Sequence, residues 1–328
     1  SVCVDLKHKK GREIFLELVG HADVVIENFS ASTMSNLNLD YQTLVEANPN
    51  IIYLSMPGFG KTGPYKDWVA FGPIIEPMSG LTAAMGYSLE EPRNSGVALV
   101  DPTSATSAAA AIVTAIRSRK KKVGGSTQIE MSLHEAGVSF NGPWLIDSQL
   151  GAPSPVLNNG HPNMCPHGVY PCKGEDEWLA LACEDQKDWE TLAKIDHSLD
   201  PSWTIKERQE WADLINLSIA VWCETRTKES AAEELQKLGI AAGPVNTVPD
   251  MFKDPQVEER KFFVPFERAE TPMPGNPIKM EGIDSSDWTR CPDLGEHNFE
   301  LLEDWLGYTP DELNQFLEEG VIADRPPS

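Results

Sequence analysis

Two short apolar runs, Ala22-Asp23-Val24-Val25-Ile26-Glu27 and Ile51-Ile52-Tyr53-Leu54-Ser55, constrain this chain more than any other feature. Each is nearly continuous rather than alternating, and each follows a segment of helical spacing. Continuous apolar strands belong to parallel sheets, where protein covers both faces. Residues 11–19 place Ile14, Phe15, Leu18 and Val19 on one helical face, and residues 33–37 and 40–48 read as two short helices. Residues 2–6 read as an earlier strand and residues 128–131 as a later one. The expected fold class is therefore α/β, a doubly wound (Rossmann-like) parallel sheet. Residues 132–150 predict a single helix opened by the capping box Ser132-x-x-Glu135.

From Gly151 the texture changes. Residues 152–166 are rich in Pro, Asn and Gly, and beyond them come short strands at 169–170 and 178–182 and a polar, Trp-bearing helical region. The expected organisation is a large domain over 1–155, a loop or linker over 156–166 and a small α+β domain over 167–268. Residues 269–328 then form a linker and C-terminal helices that return to the large domain.

A formal net charge of −23 argues against nucleic acid, which needs a basic face. No apolar run approaches the roughly 18 residues of a membrane span, and the sequence as given opens on a strand-like segment rather than a leader. The six cysteines show neither CxxC spacing nor a disulfide framework, so reduced thiols in a cytoplasmic protein are expected. The seven histidines do not fall at metal-ligand spacing, and no metal is expected. Two basic clusters stand out, Lys7, Lys9, Lys10 and Arg12, and Arg117, Arg119, Lys120, Lys121 and Lys122. Each reads either as a solvated helix end or as a phosphate contact.

One carboxylate has a special position. Asp101 follows the run Val97-Ala98-Leu99-Val100, read as a strand, and precedes Pro102 and the small-residue stretch 103–115. Such an acid is aimed out of the C-terminal edge of a sheet, where open α/β proteins bind ligands, with space above it. Asp before Pro is equally a standard helix start. GxGxxG, P-loop, HExxH and GxSxG motifs are all missing.

Several blocks then occur in a telling order: Asp5-Leu6-Lys7 with Gly11-Arg12, Glu27-Asn28-Phe29, and Ser55-x-Pro57-Gly58-Phe59-Gly60-x-x-Gly63-Pro64-Tyr65. Met78-Ser79-Gly80, Asp101, residues 128–132, Gly243-Pro244-Val245-Asn246, Asp254-Pro255-Gln256 and Leu294-Gly295-Glu296-His297 follow. Over essentially its whole length the chain resembles the family III CoA-transferases, the CaiB/BaiF family.

The resemblance implies an acyl-CoA:carboxylate CoA-transferase whose nucleophile is Asp101, working through covalent aspartyl species. It implies coenzyme A, as acyl-CoA substrate, on Asn28, Phe29, Gly58, Phe59 and Gly60, and a substrate loop at Asn159, Gly160 and His161. Glu76 and Glu135 are weaker site candidates; Glu135 is also the third residue of its capping box. The implied partners are an acyl-CoA, a carboxylic acid acceptor and a second copy in an interlocked homodimer, which the linkers at 152–166 and 271–277 suit. The chain departs from the family at Asn36, where relatives carry an Arg, and in its single glycine at the substrate loop. The resemblance also implies that the sequence as given starts at the second strand–helix unit of its relatives. Related acyl-CoA racemases place a His where Val100 stands, and Val moves no proton. A CoA-dependent lyase or isomerase on the same scaffold, or a truncated and inert chain, are the alternative readings.

Overall fold

The computed structural model describes residues 1–88, 90–120, 125–151, 158–265, 272–282 and 290–325. It resolves into two compact units, one of residues 1–156 and 291–328 and one of residues 157–290.

In the first unit, α1 (Lys9–His21) starts where the His8 side chain accepts the Lys10 N–H, and it leads into β1 (Val24–Glu27). After α2 (Thr33–Asn36), the helix α3 (Tyr41–Ala47) is capped by Asp40, which accepts the Thr43 N–H. Then comes β2 (Ile52–Ser55), buried at every position. Short helices α4 (Gly72–Met78) and α5 (Leu81–Ala84) precede the 20-residue α6 (Val100–Arg119) and β3 (Thr127–Glu130). The strands form a parallel sheet in the order β1-β2-β3, with Val25 opposite Tyr53 and Tyr53 opposite Gln128. The expected α/β class with a parallel sheet is what forms.

Three local readings are corrected. Residues 97–100 are not a strand: Gly96 and Ala98 hold positive φ, which an extended strand cannot use, and Val97 points to solvent. Asp101 is consequently neither a strand end nor an N-cap but the second residue of α6, with Pro102 third, where its missing N–H costs no helical bond. Residues 2–6 do not join the parallel sheet. Val4 bridges Ile322, and the Asp5 N–H donates to the Val321 carbonyl, so this segment pairs with residues near 322. Residues 132–150 form two helices, α7 (Leu133–Phe140) and α8 (Gly142–Gln149), parted at Asn141, because Pro143 has no N–H to continue the bonding of α7 and is instead accommodated in the first turn of α8.

Around α1, the buried Ile14, Leu302, Leu313, Phe316, Val321 and Ile322 form one core. Each fully buried aliphatic there contributes roughly 1.5–3 kcal/mol. The Leu294-Gly295-Glu296-His297 block closes this core: Gly295 fits where any Cβ would strike the Ala323 carbonyl, and buried Asn298 bonds the Cys3 N–H and the Ala323 carbonyl. A second core, Val19, Met34, Leu39, Leu44, Ile51 and Tyr53, fills one face of the sheet. A third, Ile75, Leu81 and Val100, seats α4 against the start of α6.

In the second unit, β4 (His167–Pro171), β5 (Trp178–Ala182) and β6 (Ala241–Pro244) make an antiparallel sheet. Helices α9 (Gln186–Leu192), α10 (Ile205–Glu210), α11 (Ala212–Glu224) and α12 (Lys228–Lys237) share its core, which centres on Trp189, Ile215, Ile219 and Leu235. The buried Lys228 ammonium pairs with Glu177 at 2.9 Å and Asp250 at 2.8 Å and donates to the Val245 carbonyl. That lysine fixes the Gly243-Pro244-Val245-Asn246 block in place.

Candidate active site

Parallel topology gathers the candidate residues of the first unit at one edge. The Asn28-Phe29 turn leaves β1, the Pro57–Gly60 loop leaves β2, and Ser132 follows β3. Helix α6 runs back towards β3, and at its far end Arg119 donates to the Asn50 carbonyl beside the start of β2. Its first turn, with Asp101, therefore lies at the C-terminal edge of the strands.

Hydrogen bonds fix the loops there. Glu27 accepts the Phe29 N–H at 2.8 Å and the Tyr53 hydroxyl at 2.7 Å. Burial, reinforced by that carboxylate, pushes the Tyr53 phenol well above its usual range, so it stays a donor. Lys61 donates to Tyr53 and lies over its ring. Gly60 has φ +83°, and the Lys61 N–H beyond it donates to Glu130 at 2.6 Å. The Pro57 and Gly58 carbonyls accept N–H groups from Leu133 and His134, tying this loop to the start of α7. Phe59 packs edge-on against Tyr65 and Trp68. Phe29 presents an exposed ring beside the open turn.

Asp101 differs from the other carboxylates at this edge. Its backbone N–H donates to the Ala98 carbonyl at 3.0 Å, but among the described residues nothing bonds its carboxylate. The side chain reaches solvent, while its surroundings desolvate it enough to push the pKa above the usual Asp range. The result is an accessible carboxylate that is more basic than normal and spends no lone pair on a structural partner. Glu76, by contrast, is 1% exposed and spent: it accepts the Ser95 N–H at 2.5 Å and the Ser95 hydroxyl at 2.8 Å. Glu135 sits at the first turn of α7, where its N–H bonds the Ser132 hydroxyl; only that half of the expected capping box forms.

In the second unit, Asn159 accepts His167 Nδ1 at 2.7 Å, and the His161 and His167 rings lie 5.3 Å apart. His161 also bridges Met164, so Asn159, Gly160 and His161 belong to a turn of their own. Residues 152–157 and 271, parts of the expected linkers, fall outside the described residues.

Some members of the basic clusters are engaged. Lys10 donates to Tyr308, and Arg12 caps the carbonyls of Leu6 and Lys7. Arg119 pairs with Asp23; Lys121 and Lys122 lie outside the described residues. No group of three or more His, Cys, Asp or Glu side chains placed to hold a metal occurs among the described residues. Sequence reasoning missed Gly72 and Ala98, which lie against Asp101, and Ser95, which Glu76 holds. Only the Gly72-Pro73 pair carried a local signal, that of a helix start.

With this edge described, comparison with known proteins is decisive, because the model for CoA-transferase family III matches residues 1–298. The chain belongs to CoA-transferase family III. The resemblance drawn from its motifs therefore holds, and the family is one of CoA-transferase enzymes. The chain is 31% identical to the succinate–glutarate CoA-transferase of Agrobacterium fabrum, covering 92% of this chain and 77% of that protein. It is 26% identical to a probable CoA-transferase of Mycobacterium tuberculosis over 97% of this chain, and spans 42% of that longer protein. A crystal structure of a CaiB/BaiF family protein from Brucella suis superposes with a TM-score of 0.79 at 27% identity, covering 92% of this chain and 80% of that one.

Proposed function

We propose that this protein moves coenzyme A from an acyl-CoA to a second carboxylic acid, with Asp101 as the nucleophile. The observation that carries the reading is the Asp101 carboxylate: exposed, unbonded among the described residues, more basic than usual, and set at the strands' C-terminal edge.

In this mechanism an Asp101 oxygen attacks the thioester carbonyl, the C–S bond breaks, and CoA leaves as a thiolate, with Asp101 and the acyl group joined in a mixed anhydride. The thiolate attacks the Asp101 carbonyl and releases the donor acid, leaving an aspartyl-CoA thioester. The acceptor carboxylate attacks that thioester and expels the thiolate again, which then attacks the acceptor's acyl carbon and restores Asp101. Each step exchanges one acyl bond for another, so neither water nor a redox partner is consumed. Raised basicity strengthens the carboxylate as a nucleophile once it is ionised, and a held geometry supplies much of the rest.

Asn28, Phe29, Gly58, Phe59 and Gly60 are proposed to carry the coenzyme. An exposed Phe29 ring suits a nucleotide, and Gly58 and Gly60 shape the loop beside it, Gly58 by close packing and Gly60 by its positive φ. Asn159, Gly160 and His161 are proposed as substrate-loop residues on the family resemblance alone. The relative named for succinate–glutarate transfer makes short dicarboxylic acids the first acceptors to test. A homodimer is also proposed: α8 buries none of its residues, and Leu145, Ile146 and Leu150 face outward. No helix among the described residues is long and apolar enough to cross a membrane, and the absence of CxxC or disulfide-framework spacing in the sequence favours the cytoplasm.

A thermal-shift panel of acyl-CoA esters, followed by transfer assays with each free acid, tests the reading. A ligand that binds the native state raises its melting temperature. Stabilisation by an ester, with CoA appearing on the acceptor acid, is expected; no binding by any ester contradicts the proposal.

A further inference from the structure

Helix α4 does more than fill space beside the proposed nucleophile. An ideal Cβ on Gly72 would lie 2.5 Å from Asp101 Oδ2, 2.8 Å from Asp101 Cγ and 2.8 Å from the Ala98 Cβ. The Asp101 carboxylate thus rests on the bare α-carbon of the first residue of α4. Gly72 does not lie in the left-handed region, so its backbone does not demand glycine. What demands glycine is the space taken by the carboxylate.

The same helix holds the segment that enters α6. One turn beyond Gly72, the buried Glu76 carboxylate takes both the N–H and the hydroxyl of Ser95. Asn94 Nδ2 donates to the Pro73 carbonyl at 3.3 Å, and Thr82 donates to Asn94 Oδ1. Two residues on, Gly96 takes φ +78° and Ala98 φ +48°, an arrangement an alanine keeps only when its neighbours over-determine it. The Ala98 carbonyl then accepts the Asp101 N–H. Glu76 thus holds Ser95, three residues before Ala98, whose carbonyl takes the Asp101 N–H and whose side chain, with the Asp101 carboxylate, fills the space over Gly72.

From this geometry we infer that Gly72 and Glu76 are positioning residues that set the direction of the Asp101 carboxylate, Gly72 by leaving room for one orientation and Glu76 by anchoring residues 94–98. The inference rests on Asp101 being the nucleophile. Neither residue touches the reacting atoms; both act through Asp101. A misplacement of about 1 Å at a reacting group costs on the order of 100-fold in rate, so the device matters to chemistry more than to binding.

The test is rapid-quench single turnover with succinyl-CoA, reading acylation of the Asp101 peptide by mass spectrometry, beside succinyl-CoA affinity and the pH dependence of acylation. Gly72→Ala should slow acylation at least tenfold, leave affinity within about twofold, and move the acid limb down as the displaced carboxylate gains water. Glu76→Gln should stay within about threefold of wild type, because an amide accepts the Ser95 N–H and donates to its hydroxyl. Glu76→Ala, with neither contact, should lose at least tenfold; if it does not fold, Gly72→Ala decides alone. Asp101 labelled in wild type and equally fast in Gly72→Ala would overturn the positioning role and leave the nucleophile standing. Wild-type transfer with the label on another residue would instead remove the nucleophile, and this inference with it.

Discussion

Asp101 and Arg119 stand at opposite ends of one helix, α6, about 27 Å apart at 1.5 Å per residue. Arg119 closes the helix at the N-terminal edge of the sheet, donating to the Asn50 carbonyl and pairing with Asp23. It is placed to hold the sheet, and it is remote from the proposed chemistry. Arg119→Met should therefore leave the KM for acyl-CoA within about twofold. It should cost no more than about 1–2 kcal/mol of stability, the worth of a part-exposed pair and one carbonyl bond. Steady-state kinetics beside urea melts check both; a large rise in KM would restore the phosphate-contact reading of this cluster.

Gly58 faces a packed neighbour. A Cβ there would lie 2.8 Å from the Ala70 Cβ and 3.3 Å from Ile75 Cδ1, inside the layer that seats α4. Gly58→Ala should lose about 1–3 kcal/mol to overpacking. Acyl-CoA affinity should also fall, because the shifted loop belongs to the proposed coenzyme surface. Denaturant melts and thermal shift with an acyl-CoA measure the two effects separately.

Lys228 gives the second unit a pH signature. Hydrogen bonding to Lys228, then to Thr247, holds the Asp250 carboxyl well below the usual range, and the Lys228 ammonium is raised in turn by Asp250 and Glu177. A depressed carboxylate contributes stability that is full above its unfolded pKa of about 3.9 and is lost as pH falls through the folded value. The melting-temperature gap between wild type and Lys228→Met should be widest near neutrality and shrink below about pH 4. A gap that stays constant down to pH 2 would show that the ion pairs contribute nothing. Both carboxylates are more than a third exposed, so added salt should narrow the gap as well.

The strand at 52–55 is legible because its apolar run is buried at every position, a local pattern with one reading. The run at 24–27 also forms a parallel strand, but it is only partly buried and Ile26 is 54% exposed, so the expected cover on both faces fails there. The run at 97–100 looked alike but was not a strand. Of its four residues only Val100 enters a core, and Gly96 and Ala98 turn the backbone left-handed. Residues 2–6 misled for a related reason, since their pairing partner near 322 is more than 300 residues away. At the candidate site, Asp101, the Asn28-Phe29 turn and the Gly58–Gly60 loop could be picked out because motif order marks them. Gly72, Ser95 and Ala98 could not, because their importance lies in contacts across the fold. The sequence marks Glu76 as a carboxylate but not as the anchor of Ser95, a role only its buried hydrogen bonds define.

The central claim is that Asp101 carries the acyl group and then coenzyme A. Incubating the protein with an acyl-CoA, quenching with hydroxylamine and mapping the peptides tests it directly. The account predicts a hydroxamate on Asp101, and for Asp101→Ala neither that mark nor transfer, a loss of about 10⁴-fold or more. Modification confined to another residue, or full transfer by Asp101→Ala, would contradict it.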